Sequence, residues 1–177
     1  MSDSDNKKKK RVNSKAKGNA GELAIAKALN EALTPFIFKR VTSSGAILGG
    51  QNAVNLDHYT EAGKCAFVGD VFCSNDNANV FRFCIESKSY KDVDSLEHLF
   101  RSSKIYDWLT EVDVDRVKID KDGIVIFKFN RTPHFAAVRS YIEFPNGVNY
   151  LTLVDGSKVC HLADLLPHRD FWFKQPK

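Results

Sequence analysis

Residues 66–88 read Ala66-Phe67-Val68-Gly69-Asp70-Val71-Phe72-Cys73, then Ser74-Asn75-Asp76-Asn77-Ala78-Asn79, then Val80-Phe81-Arg82-Phe83-Cys84-Ile85-Glu86-Ser87-Lys88. Two runs rich in Val, Phe and Ile flank a stretch of turn chemistry, which predicts two strands joined as an antiparallel hairpin. Side chains alternate along a strand, so Glu86 and Lys88 share one face while Ile85 and Ser87 share the other. Asp70 lies on the partner strand, where it can approach Glu86 across the ladder. Two carboxylates placed this way repel each other unless a cation lies between them, and hard oxygen ligands of this kind suit Mg²⁺. A lysine two residues beyond the second carboxylate can stabilise a phosphate oxyanion or orient water. Each piece alone has an ordinary counterpart. Glu-x-Lys in a strand is commonly a solvated ion pair, and an Asp at a strand end is commonly a turn residue.

Upstream of the hairpin, residues 21–33 are rich in helix formers, with a stripe at Leu23, Ala26, Leu29 and Leu33. Glu22 stands at the start of that stripe, and a charge opening a buried face needs a partner, which Asp70 and Glu86 with a shared metal would supply. Thr34-Pro35 ends the helix and residues 36–41 form a short β-prone run. Residues 45–64 lack a clear period and read as a loop. Downstream, Asp94-Ser95 cap a second helix over residues 95–110 with Leu96, Leu99, Phe100 and Leu109 inward. Strands follow over residues 124–129 and 136–144. A terminal hairpin turns at Asp155-Gly156, and a short helix over residues 162–166 stops at Pro167. The order αβββαββ predicts an α/β fold, a mixed central sheet flanked by helices.

The chain has 177 residues, 43% of them hydrophobic, which suits one domain with a real core. Thirteen Phe, five Tyr and two Trp exclude a disordered chain. No apolar run reaches membrane-spanning length, and the Ser/Asp/Lys-rich start excludes a secretory signal. The four cysteines therefore read as reduced thiols, in a cytosolic or nuclear compartment. The first twenty residues hold seven lysines and arginines against two aspartates, so they carry the whole positive excess of a chain with formal net charge +4. Residues 1–17 read as a flexible basic arm on a single domain of residues 18–177. Lys7, Lys8, Lys9, Lys10 and Arg11 suit a phosphate backbone, or equally a solubilising or nuclear-import tail.

The order of these features resembles the PD-(D/E)XK nuclease superfamily, and within it the archaeal-type Holliday-junction resolvases. Lys17-Gly18-Asn19-Ala20-Gly21-Glu22-Leu23 resembles their opening Lys-Gly segment and helix glutamate. Arg40-Val41-Thr42-Ser43-Ser44-Gly45 is similar to their Arg-Ser-x-Gly turn. Gly69-Asp70-Val71 takes the place of the Pro-Asp pair, with Gly69 where the proline stands. Ile85-Glu86-Ser87-Lys88-Ser89 matches the Ile-Glu-x-Lys-Ser signature, and Phe127-Lys128-Phe129-Asn130-Arg131 resembles a later strand ending in a basic turn. The likeness covers about residues 17–145, and the loop after Gly45 is longer than in a minimal resolvase.

This resemblance implies a restriction-endonuclease-like αβββαβ core and Mg²⁺-dependent phosphodiester hydrolysis, with Mn²⁺ as a substitute. Asp70, Glu86 and the Ser87 carbonyl would bind the metal, and Glu22 would complete the shell directly or through water. Lys88 would orient the attacking water or stabilise the phosphorane. Arg40 with Ser43 or Ser44 would hold the scissile phosphate, and Lys128 and Arg131 would touch the backbone. A homodimer acting on branched DNA follows by the same likeness. A restriction- or repair-type nuclease on duplex or flap DNA, and a non-catalytic DNA-binding protein of this fold, are the rival readings. The intact Glu22, Asp70, Glu86 and Lys88 weigh against the last.

Other residues have plainer readings. Cys65, Cys73 and Cys84 fit no usual zinc spacing, and Cys160-His161 is no stronger. His58, His98, His134 and His168 are scattered, with His58 beside Asp57 in the long loop. Tyr106 and Trp108 are expected as core or dimer contacts, and Phe171-Trp172-Phe173 as a cover for the sheet or an interface.

Overall fold

The structure, a computed structural model, describes residues 14–42, 58–74, 80–90 and 104–174. Helix α1 (Ser14–Ala32) opens the described chain. Strand β1 (Phe38–Arg40), helix α2 (Glu61–Cys65), strand β2 (Val71–Cys73) and strand β3 (Phe83–Tyr90) follow. Next come helix α3 (Lys104–Arg116), a 3₁₀ turn at Val117–Ile119, and strands β4 (Asp122–Phe129), β5 (Phe135–Val138), β6 (Tyr150–Thr152) and β7 (Lys158–His161). Helices α4 (Leu162–Leu165) and α5 (Arg169–Trp172) close the fold. The strands form one mixed sheet in the order β1-β2-β3-β4-β5-β7-β6. β3 and β4 are parallel, bridged by the segment that holds α3, and every other pair is antiparallel. The expected mixed sheet with flanking helices is therefore present.

Two apolar layers sandwich β3 and β4. Ile25, Ala26 and Leu29 of α1, with Leu33 just past its end, pack with Phe83, Ile85, Ile124 and Ile126 on one face. Ile105, Trp108, Leu109 and Val112 of α3 pack with Cys84, Val125 and Phe127 on the other. Such alternation on a strand covered on both sides leaves no polar position in its middle.

Several boundaries differ from expectation. α1 begins at Ser14, inside the stretch of residues 1–17 read as an arm. Leu23 is exposed, and Ile25 takes the inward place expected of it. The strand expected over residues 66–73 is only Val71–Cys73, because Ala66 and Phe67 close the turn of α2 through backbone bonds to Gly63 and Lys64. Residues 61–65, expected as loop, are that helix, capped by the Thr60 hydroxyl accepting from the Gly63 N–H.

The strand expected over residues 80–88 runs Phe83–Tyr90. Its first residues pair instead with the C-terminus: the Arg82 N–H donates to the Trp172 carbonyl, and that of Lys174 to Val80. α3 extends to Arg116, beyond residue 110. β5 stops at Val138 rather than running to residue 144, because Arg139 turns away to bond Asp113 and Thr110 of α3. The hairpin of β6 and β7 turns at Gly156, with Asp155 accepting from the Ser157 N–H and hydroxyl. The segments 43–57, 75–79 and 91–103, including Ser43, Ser44, Asp94, Ser95, Leu96, Leu99, Phe100 and the caps of the second helix, lie outside the described residues, as do Lys7, Lys8, Lys9, Lys10 and Arg11.

β1 is an edge strand, and its outward Phe38 N–H and carbonyl are both taken by the Asn30 side-chain amide of α1. Blocking an edge this way removes a template for pairing with another chain. At the C-terminus Trp172 is fully buried and donates to the Leu165 carbonyl, so Phe171-Trp172-Phe173 covers the sheet. All four cysteines are free and buried, and burial raises the pKa of Cys84 and Cys160. Trp108 is core, whereas Tyr106 is exposed.

Candidate active site

β2 and β3 pair through Val71 and Ile85, which sets Asp70 opposite Glu86. At Asp70 the two strands part, and Gly69 makes the parting possible. Its φ is +75°, and a Cβ there would stand 2.8 Å from the Ile85 carbonyl oxygen. Only glycine tolerates both conditions, so the position occupied by proline in the resembled motif has a backbone reason to differ here. The Asp70 N–H still donates to the Ile85 carbonyl at 2.8 Å. Its carboxylate turns to cap the next free group, accepting from the Ser87 N–H at 2.8 Å. The N–H and carbonyl of one strand residue point to the same side, so the Ser87 carbonyl also faces this gap.

The gap is electrostatically uncomfortable. Burial, then the Glu86 charge, raise the Asp70 carboxyl to about 7 against the Ser87 hydrogen bond, and the Glu22 charge adds to the rise. Burial likewise raises Glu86, opposed by Lys88. Lys88 Nζ lies 2.9 Å from Glu86 and also pairs with Glu111 of α3. Its burial works against the ammonium, but the bonds to Glu111 and Glu86 outweigh it and raise the pKa. Among the described residues, the two half-buried carboxylates Asp70 and Glu86 face one lysine, and it pairs with Glu86 rather than Asp70. That donor set fits a divalent cation held by Asp70, Glu86 and the Ser87 carbonyl.

α1 reaches the site through small residues. Gly21 lies over Ser87 and Ser89, where a Cβ would meet their side chains at 3.7 and 3.6 Å. The next residue, Glu22, pairs with Arg40 of β1, and Arg40 also donates to Asn19 Oδ1 at 2.8 Å. Glu22 is thus near enough to act on Asp70 but is held by Arg40. Among the described residues no group of three or more acidic, histidine or cysteine side chains converges to hold a metal ion. The structure therefore brings Asp70, Glu86, Ser87 and Lys88 together and keeps Glu22 one step away with Arg40.

Lys128 and Arg131 follow the same end of the sheet, since Lys88 is in register with Phe127 and Ser89 with Lys128. Lys128 is half-buried, on the face that carries Ser89. Arg131 is exposed in a left-handed turn at φ +64°. His134 has an unpartnered buried Nε2, and burial with the Lys128 charge lowers its pKa. Sequence reasoning missed Glu111 and Asn19. Glu111 stands 23 residues from Lys88, and no local pattern marks that pairing.

A family model described as "Phage putative PDDEXK endonuclease" matches residues 13–154. The chain belongs to this family of PD-(D/E)XK endonucleases. No curated protein matches the chain in sequence. Among solved structures, the 1.6 Å structure of Hjc from Archaeoglobus fulgidus, a Holliday junction resolvase from an archaeal hyperthermophile, aligns with a TM-score of 0.38 and 14% identity. The alignment covers 84% of this chain and 87% of that one. Among the described residues no helix is long and apolar enough to cross a membrane.

Proposed function

We propose that the protein is a divalent-metal-dependent DNA endonuclease whose centre is Asp70, Glu86, the Ser87 carbonyl and Lys88. The observation that carries this reading is the placement of the Asp70 carboxylate, opposite Glu86 across the ladder and hydrogen-bonded to the Ser87 N–H at 2.8 Å. A bound Mg²⁺, or Mn²⁺ in its place, would relieve the repulsion between the two carboxylates and supply Lewis-acid activation of water and phosphate. Asp70 and Glu86 place their oxygens for the ion. Lys88 directs its ammonium at the water or the phosphorane. Glu22 contributes through water while gripping Arg40, whose remaining N–H groups offer themselves to a phosphate. Ser43 or Ser44 would join Arg40 there. Lys128, Arg131 and the basic residues Lys7, Lys8, Lys9, Lys10 and Arg11 hold the DNA backbone outside the centre. The basic arm, residues 1–13 ahead of α1, serves a single nuclease domain.

The motif likeness of Lys17–Leu23 and Ile85–Ser89 to resolvases supports a four-way junction as the substrate and a homodimer as the working form, and the phage attribution of the family fits a viral origin. Four-way, flap and linear duplex DNA, each incubated with Mg²⁺, with Mn²⁺ and with chelator, test this. Metal-dependent symmetric nicking of the junction is expected. Cutting of linear duplex or flap alone makes it a restriction- or repair-type enzyme. Tight binding with no cleavage in any metal refutes catalysis.

A further inference from the structure

We infer that Glu111 is a positioning residue that keeps Lys88 aimed at the centre once a cation occupies it. The inference rests on the reading of Asp70, Glu86 and Lys88 given above. Lys88 Nζ is shared by two carboxylates, Glu86 at 2.9 Å and Glu111 of α3. The two differ in setting. Glu86 belongs to the sheet and faces the Asp70 gap, whereas the Glu111 side chain is 57% exposed at the rim. A divalent cation between Asp70 and Glu86 would take up the charge of Glu86 and repel the ammonium beside it. With Glu86 as its only acceptor, Lys88 would either compete with the cation or swing into water. Glu111 offers a second acceptor from the neighbouring helix α3, so the ammonium can leave Glu86 without leaving the site. α3 makes this bracket stiff. Ile105, Trp108, Leu109 and Val112 are buried against the sheet, and Glu111 lies next to that face. Exposed ion pairs add little to stability, so a carboxylate at this place acts chiefly on the lysine it holds.

The test compares Glu111→Ala and Glu111→Gln in the full chain, each alone and on a Lys88→Met background. Cleavage kinetics are measured at saturating Mg²⁺, and Mg²⁺ binding to the DNA-free protein by calorimetry. Glu111→Ala is expected to lower kcat roughly 10–100-fold, the usual cost of losing a supporting partner. KM for DNA should stay within about twofold, and Mg²⁺ binding should weaken because Lys88 then stays on Glu86. Glu111→Gln, whose amide oxygen still accepts a hydrogen bond, should fall between. With Lys88→Met already present, Glu111→Ala should change neither rate nor Mg²⁺ binding. An unchanged kcat in Glu111→Ala, or equal losses on both backgrounds, overturns the inference while leaving the site intact. Wild-type cleavage by both Lys88→Met and Glu86→Ala removes the site itself.

Discussion

Strand β3 has two halves that live by different rules. Phe83, Cys84 and Ile85 are buried on both faces, between α1 and α3. Glu86 to Tyr90 are only partly buried and mostly polar. The difference follows from the neighbours. β4 runs beside all eight residues, but β2 leaves at Asp70, opposite Glu86. Beyond that point no strand among the described residues pairs with that edge of β3, and the Ser87 N–H is capped by a carboxylate. A sheet concentrates reactive backbone and side-chain groups where a strand loses its partner, because there they are rigidly held and still reachable.

Truncating one side chain in each half separates their roles. Asp70→Ala or Glu86→Ala should cut the cleavage rate by roughly a thousandfold or more, the scale of losing a metal-centred catalytic group. DNA binding measured with Ca²⁺ should remain. Ile85→Ala should do the reverse, costing about 2–5 kcal/mol of stability by chemical denaturation while the folded fraction still cuts.

A third variant separates charge from shape. Asp70→Asn keeps an acceptor for the Ser87 N–H and removes the repulsion with Glu86. A carboxyl raised from 3.8 to about 7 on folding binds its proton more tightly in the native state. Its stabilising share is therefore full below pH 4 and is lost as pH rises toward 7. Without divalent metal, Asp70→Asn should thus melt higher than wild type at pH 7.5, by about 3 °C or more, roughly 1 kcal/mol for a chain of this size. The gap should shrink at pH 4, and Mg²⁺ should narrow it at pH 7.5. Equal melting temperatures at both pH values would mean that neither burial nor the Glu86 charge acts on the Asp70 carboxyl.

The smallest effect belongs to the arm. Deleting residues 1–13, ahead of α1, should weaken DNA binding a few-fold and flatten its salt dependence. An unchanged slope of log K against log salt would remove the arm from the interface.

The hairpin and the facing of Asp70 and Glu86 were legible because strand alternation has a period of two and the register is tied to the buried Val71 and Ile85. The helix stripe was half legible. In a run such as Leu23-Ala24-Ile25-Ala26 the apolar face is ambiguous, and Gly21, lying close over Ser87 and Ser89, helps decide that Ile25 turns inward and Leu23 outward. The end of β5 was not legible, because Arg139 is drawn off by Asp113, 26 residues away on α3.

By itself the sequence determined the kinds of groups at the site, the strands that carry them and the family motif they form, since these depend on local periodicity and residue chemistry. Tertiary structure alone decided that Glu22 is held by Arg40 and that Lys88 is held by Glu111 as well as Glu86. Those pairings depend on how α1, β1 and α3 are laid against β3, and packing between distant segments leaves no trace in local spacing.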